Sequence, residues 1–548
     1  MPFQKSEMMK GDVNMASENI ISSQPGILSN KLLWLITGAI CFMVIGFILP
    51  TPQSLIDLVE KQNIAKKMID WHIASDISHA AWKAKLVLGM IPMAIIYFAT
   101  EALPIGLVGI LMPVFAYFFK LLPMKMIGQT FAGDAPLFLL GVLAMGVTVI
   151  GVGLHKRLAT WILGWTSGFM LPIIVLCMSM SVLGAFISAH AMAAFMAPVM
   201  AAVYMGAVSS NKTRGEIEHD PQLAKLLLLS LCFALNVGGV GSPAAGGRNV
   251  IMMGFWSDYN VPMSFGQWML YGLPLSPVLG LAVALYMLFI FRNVKTKDLT
   301  PGLKAIKDST KEMGKMSYQE NVAFGMMILI LILWIFGGHD LGLGGPALLA
   351  LIIPVVFKIA DWRKILAGIS WDAWFMYCGA LTLGALLKET GAALWLAQIF
   401  LNGLNYIGFG EGLGLWIGMS SFSGLMTNFM SDAGTTALLG PIAVPMGIMS
   451  GVHGEPWAIG LATAFATSFA HFLIVGTPNN AIVYGLGVYS DTGQRMISPF
   501  DFIKYGFLLW IISLVIMWVL GFMILFPLVG FPDGIVETAK SVLMTQSP

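Results

Sequence analysis

A histidine, an aspartate and an arginine stand in stretches that are otherwise almost wholly apolar. His190 follows Ser188 in ISAHAMAAFMAP (187–198), and Asp432 follows Ser431 in MSDAGTTALLGP (430–441). The two stretches share three residue types at the same spacings (Ser188 and Ser431, Ala194 and Ala437, Pro198 and Pro441), 243 residues apart. Downstream, Arg248-Asn249-Val250-Ile251 with Gly254 is echoed by Asn479-Asn480-Ala481-Ile482 with Gly485; upstream, Gly153 and Ala159 are echoed by Gly391 and Ala397. Three matches in one order indicate an internal duplication. An ionisable side chain at membrane depth is costly and marks an ion or substrate path. A carboxylate at Asp432 is a harder ligand for a small cation than an amide, and it can instead take a proton. Histidine is the side chain most easily switched near neutral pH, and an arginine such as Arg248 can hold a carboxylate through two parallel N–H bonds. The blander readings are serine and glycine packing between membrane helices, an Arg248 that snorkels to the interface, and a neutral His190 bonded to a backbone carbonyl.

The elements that must position these residues follow from composition. The chain has 548 residues, 57% hydrophobic and 11% charged, with a mean hydropathy of +0.82. Soluble domains carry about a quarter charged residues; here the apolar residues form many runs of the length, about 20 residues, that crosses a bilayer as a helix. The chain is therefore an all-α polytopic membrane protein. A net charge of +2 offers no basic surface for nucleic acid. Cys41, Cys177, Cys232 and Cys378 lie in apolar runs without CxxC spacing and read as buried thiols. Residues 1–31 are expected to be a cytoplasmic tail. A first span and an amphipathic interfacial segment (53–82) fill 32–83; a first repeat follows over 84–291, a polar linker over 292–320, a second repeat over 321–530 and a short tail over 531–548. From Arg292 to Lys315 the linker holds seven Lys/Arg against three acids, which places it in the cytoplasm. Several runs carry Gly, Pro or Ser at their centres and read as re-entrant hairpins or broken helices. The total is about eleven spans. Duplicated, interrupted apolar segments are the sequence pointer to a secondary transporter, because the freed backbone groups bind ions and substrate.

Longer motifs resemble the divalent anion/sodium symporter family. Thr100-Glu101-Ala102-Leu103-Pro104 is similar to its TEAxP motif, and GLHKRLA (153–159) to its GLxKRxA motif. Phe265-Gly266-Gln267-Trp268 with Gly272-Leu273-Pro274 is similar to the end of its first repeat, and GTPNNAIV (476–483) to its GTPPNAIV segment. The resemblance implies an inverted repeat, two re-entrant hairpins whose tips meet near the membrane midplane, elevator-type alternating access and a homodimer. The family places Ser-Asn-Thr at each tip; here the tips read Ser188-Ala189-His190 and Ser431-Asp432-Ala433, and Ala245-Gly246-Gly247-Arg248-Asn249 replaces the first GTPPN. At the first sodium site Gly184, Ala189 and Ala245 stand where side-chain and carbonyl oxygens are expected, so sodium is not expected there. At the second, Thr427, the carbonyls of Met430 and Gly476, and Asp432 remain, with Asp432 as the charged ligand of a possible sodium ion. The resemblance thus implies substrate contacts at Ser188, His190, Arg248, Asn249, Ser431, Thr435, Thr477, Pro478 and Asn480. If the tips face each other, a protonated His190 opposite Asp432 takes the place of the lost ion.

The function expected is secondary active transport of a small organic anion, foremost a dicarboxylate, by symport with sodium or protons or by anion exchange. The partners are that anion, the coupling ion and the lipid bilayer. A cation/proton antiporter or oxyanion exporter centred on Asp432 is the competing reading. No HExxH, GxSxG or GxxxxGK[ST] motif occurs, so neither an intramembrane enzyme nor a phosphate-driven pump is expected. The lack of a signal or transit segment suits a bacterial inner membrane.

Overall fold

The computed structural model describes residues 31–532 apart from 156, 158–162, 165, 210–211, 214–215, 313, 407 and 451, so the expected tails and part of the GLHKRLA motif lie outside it. Among the described residues, nine helices are long and apolar enough to cross a bilayer, from Lys31–Ile48 to Pro499–Val529. Three apolar helices are too short to count among them, Ile105–Phe118, Met170–Leu183 and Gly344–Val356. The strands are a two-residue pair, Lys212–Thr213 with Glu216–Ile217.

The interrupted segments recur in order in both halves. Met170–Leu183 turns at 184–188 into Ala189–Val208, and Gly412–Phe429 turns at Met430 and Ser431 into Asp432–Ser450. Each hairpin is followed by a helix broken in the middle: Pro221–Gly238 resumes as Gly247–Asp258, and Glu455–Ala466 as Pro478–Leu486. The first break is dense in glycine and proline (Gly238, Gly239, Gly241, Pro243, Gly246, Gly247), residues that weaken or end a helix. The second is polar at its start (Thr467, Ser468), and its helix resumes with Pro478 as its first residue, where a missing N–H costs nothing.

Small residues let the long helices meet backbone to backbone. A Cβ on Gly379 of Trp371–Glu389 would fall 2.1 Å from the Gly109 carbonyl of Ile105–Phe118, and one on Gly141 of Asp134–Val152 would fall 2.2 Å from the Ala347 carbonyl of Gly344–Val356. Close approach through small side chains is how helices associate in lipid, where no hydrophobic drive acts between them.

Two sequence expectations change here, and one motif residue gains a partner. The amphipathic segment ends early: Gln53–Lys61 and Ile64–Asp70 bury Leu55, Leu58 and Val59 against Ala80 and Ala84, but from Ile77 the chain already belongs to the long helix Ile77–Thr100. Near the start of that helix the buried Lys83 and Lys85 satisfy helix C-termini, Lys83 Nζ donating to the carbonyls of Phe119 (3.1 Å) and Lys120 (2.8 Å), and Lys85 Nζ to that of Leu49 (2.6 Å). Arg157, in the GLHKRLA stretch, has a partner: its Nε donates to Glu320 Oε1 at 2.9 Å and its Nη1 to the Gly314 carbonyl at 2.7 Å. That ties the middle of the first repeat to the end of the linker. Finally, the linker holds a helix, Thr300–Glu312, seated on the outer arm of the first hairpin, where a Cβ on Gly302 would meet the Val203 carbonyl at 2.1 Å. Gly302→Val is therefore expected to lift this helix. Limited trypsinolysis should then cut at the exposed Lys304 and Lys307 several-fold faster, while thermal unfolding of the membrane core stays in place.

Candidate functional site

The two hairpin turns and the two helix breaks close on one another in a ring. Ser242 in the first break donates to the Ala185 carbonyl in the first turn. Arg248, just past that break, pairs with Asp432 at the second tip. Thr427 in the second hairpin donates to the Thr467 carbonyl of the second break at 2.9 Å, and Asn428 Oδ1 accepts from Phe472 N at 3.0 Å. His190 at the first tip bonds Asn479, in the helix that leaves the second break, at 2.7 Å. Four helices begin at this ring: Ala189–Val208, Gly247–Asp258, Asp432–Ser450 and Pro478–Leu486. A helix start carries unpaired N–H groups and about half a positive charge, so the ring is an electropositive centre before any side chain is counted. The helices that end there bring their free carbonyls to the same place.

The charged pair is buried. Arg248 is 6% and Asp432 8% exposed. The guanidinium donates through Nη1 to Asp432 Oδ2 and through Nε to Ser468 Oγ at 2.9 Å, while Asp432 Oδ1 accepts from Ala433 N at 2.6 Å. Arg248 does not snorkel. It crosses the broken segment over Gly239, where a Cβ would overlap the guanidinium. The expected face-off of His190 with Asp432 is corrected: arginine, not histidine, meets the carboxylate, because the side chain from the first break reaches the second tip directly. Gly239→Ala is expected to push the guanidinium off Asp432 and lower transport at least tenfold, read as uptake rate per folded protein.

A chain of amides holds the other side. Asn480 Nδ2 donates to the carbonyls of Ala470 and Leu473, both at 2.8 Å, and Asn480 Oδ1 accepts from Asn236 Nδ2 at 2.9 Å and from the Cys232 thiol at 3.0 Å. Asn236 Oδ1 accepts from Asn479 Nδ2 at 3.0 Å. The amides thus satisfy backbone carbonyls freed by the break, which would otherwise lie buried without partners.

The expected contacts divide by accessibility. Ser188 and Ser431 are half-buried at the tips, His190 and Pro478 are exposed, and Thr477 is buried at the N-cap position of Pro478–Leu486. Ser431 Oγ accepts from Gly434 N at 3.1 Å. Asn249 is wholly buried and clamps the first break, donating to the carbonyls of Gly239 (2.8 Å) and Ser242 (2.7 Å). The Thr435 hydroxyl is turned back onto the Ser431 carbonyl at 3.0 Å. Asn480 is fully buried, and it is its neighbour Asn479 that meets the exposed tip. In the expected ion site, Met430 ends the inner arm of the second hairpin in extended conformation, and Gly476 lies so close to the Thr427 carbonyl that a Cβ would fall 2.8 Å from it. Both oxygens of Asp432 are engaged. Sequence reasoning missed Asn236, Asn428, Ser468 and Asn479 as members of the ring. An asparagine inside an apolar run, just before Gly238 and Gly239, was a signal for the first of them.

The family model described as "Sodium:sulfate symporter transmembrane region" matches residues 71–530. Curated relatives include the "Sodium-dependent dicarboxylate transporter SdcS" of Staphylococcus aureus strains USA300 and COL, each 25% identical over 434 residues, or 75% of this chain and 81% of the relative. Among solved structures, Neisseria gonorrhoeae MtrF, described as one of a class of antimetabolite efflux pumps, aligns with a TM-score of 0.52 at 12% identity. That match covers 94% of this chain and 98% of the other. The Alcanivorax borkumensis YdaH transporter aligns with a TM-score of 0.50 at 14% identity, over 73% and 89%. At such identities the likeness is one of fold.

Proposed function

Because the chain belongs to the sodium:sulfate symporter family, and is thereby a multi-pass secondary transporter of the cell membrane and not an enzyme, we propose that it carries a small organic anion of the dicarboxylate class between its two hairpin tips. The observation that carries this reading is the convergence of four helix N-termini on a ring with Ser188, His190 and Ser431 accessible at its tips. Such a centre favours an anion with oxygens to accept several N–H and O–H bonds, and a carboxylate at each end engages both tips. The dicarboxylate transport of the staphylococcal relatives supports the same class. The hairpins and the broken helices would move as one body against the remaining spans in an elevator cycle, in a homodimer as the family resemblance implies.

The coupling is where this chain departs. A guanidinium already sits on the carboxylate that a sodium ion would need, and each Asp432 oxygen already accepts a hydrogen bond. Arg248 is thus a tethered cation in the place of a mobile one, and anion transport should not require sodium. A cation/proton antiporter centred on Asp432 has less support for the same reason. The test is uptake of labelled succinate into proteoliposomes preloaded with unlabelled succinate, with sodium or choline on both sides. Uptake is expected to agree within about twofold in the two salts, since the pair supplies its own counter-charge. Uptake seen only with sodium would overturn the tethered-cation reading. No uptake in either would remove the dicarboxylate assignment.

A further inference from the structure

The amide chain that ends at His190 has one consistent hydrogen-bond direction, and that direction assigns the histidine a proton-coupling role. The carbonyls of Ala470 and Leu473 can only accept, so both bonds from Asn480 come from its NH2 group. Its oxygen then faces Asn236, which must donate and which also donates to the Ala470 carbonyl at 3.1 Å. The oxygen of Asn236 is left to accept from the NH2 of Asn479, and the oxygen of Asn479 is left facing His190. An amide oxygen has no hydrogen to give, so the proton on the neutral ring sits on Nδ1. The other ring nitrogen, Nε2, then carries a lone pair. His190 is exposed at the tip of the first hairpin, and among the described residues Nε2 has no hydrogen-bond partner.

From this we infer that His190 binds a proton at Nε2 together with the transported anion, so that each anion crosses the membrane with a proton; the inference rests on the organic-anion reading above. The neutral ring turns a lone pair toward a carboxylate oxygen and repels it. The protonated ring turns an N–H and a positive charge toward the same oxygen, a charge-assisted bond of the stronger kind. In the step a water-borne proton forms the Nε2–H bond as the carboxylate arrives, and that bond breaks when the anion leaves. No other bond changes. The amide chain cannot reverse to accommodate the other tautomer, because it is anchored on backbone carbonyls, so the free nitrogen is held toward the anion throughout.

The helix of His190 carries Tyr204 at its far end, where the charged helix Thr300–Glu312 also packs through Gly302 against Val203, and Pro478–Leu486 contributes Asn479, Asn480 and Tyr484. Pro221–Gly238 contributes Cys232, whose thiol is engaged with Asn480, and Lys225, which is paired with Asp501 at 2.7 Å. Across the ring, Arg248 and Asp432 satisfy each other.

The test is calorimetric titration of the purified full-length chain with succinate at about pH 7.5, above the usual histidine range, in two buffers of different ionisation enthalpy. Wild type should take up close to one proton per succinate, with the dissociation constant rising by up to about tenfold per pH unit, as linkage to one proton requires. His190→Gln keeps a donor for Asn479 but cannot be protonated, so its proton uptake should vanish and its affinity should become flat with pH. Nitrogen NMR of the histidine-labelled wild type gives a reading that needs no variant: a free ring with the proton on Nδ1, gaining one on Nε2 when succinate is added. Binding without proton uptake in wild type, or equal uptake in His190→Gln, overturns this inference and leaves the anion reading standing. Failure of succinate to bind at any pH removes the anion reading and this inference with it.

Discussion

Asp432→Ala is expected to destabilise the protein by about 3–5 kcal/mol, the cost of leaving a buried charge without its partner. Arg248 is 6% exposed, and with the carboxylate gone its guanidinium keeps only the neutral oxygen of Ser468. Replacing both charges by apolar residues, Arg248→Met with Asp432→Leu, removes the buried charge altogether and should recover most of the loss, since well-packed apolar substitutes for a buried pair are often neutral or better. Thermal unfolding in detergent measures this cycle. Transport should be absent in the single and the double variant alike, because the pair is the counter-charge of the site and not only a brace. A single variant within about 1 kcal/mol of wild type would mean that the two side chains are held apart by solvent.

The second large effect is at Asn480. Its side chain bonds the carbonyls of Ala470 and half-buried Leu473, the amide of Asn236 and the thiol of Cys232, and is itself fully buried. Asn480→Leu leaves the Leu473 carbonyl without a side-chain partner and strips Asn236 of an acceptor. At about 1–3 kcal/mol for each buried group left unsatisfied, the loss should be about 3 kcal/mol or more, seen as a lowered midpoint of thermal unfolding. Gly485→Ala, on the same short helix and with nothing within 4 Å of the new Cβ, serves as the control. It should be neutral or slightly stabilising, as expected for alanine replacing glycine in a helix. If both variants melt alike, the amide chain does not hold the break. The inference that His190 has one fixed tautomer then fails too.

The apolar run length, the central glycines and prolines, and the duplicated Ser-Ala-Pro pattern made the spans, hairpins and broken helices readable, because in a bilayer each backbone polar group must be satisfied within the protein and only a few architectures do so. The identity of the polar residues was equally plain: His190, Arg248, Asn249 and Asp432 stand out in any apolar chain. Their partners were not legible. Whether Asp432 meets His190 or Arg248 depends on where the first break points its side chain, and that is decided by the missing Cβ at Gly239 and by the packing of two segments 184 residues apart. The backbone carbonyls that Lys83 and Lys85 satisfy were not legible either, since sequence shows a charge but not the carbonyls waiting for it. In the same way the residues themselves determined that this chain is a transporter with a costly polar centre. Only the tertiary structure decided that this centre carries its own cation and leaves one histidine nitrogen open, because charge pairing and hydrogen-bond direction belong to contacts across the ring, which no spacing along the chain records.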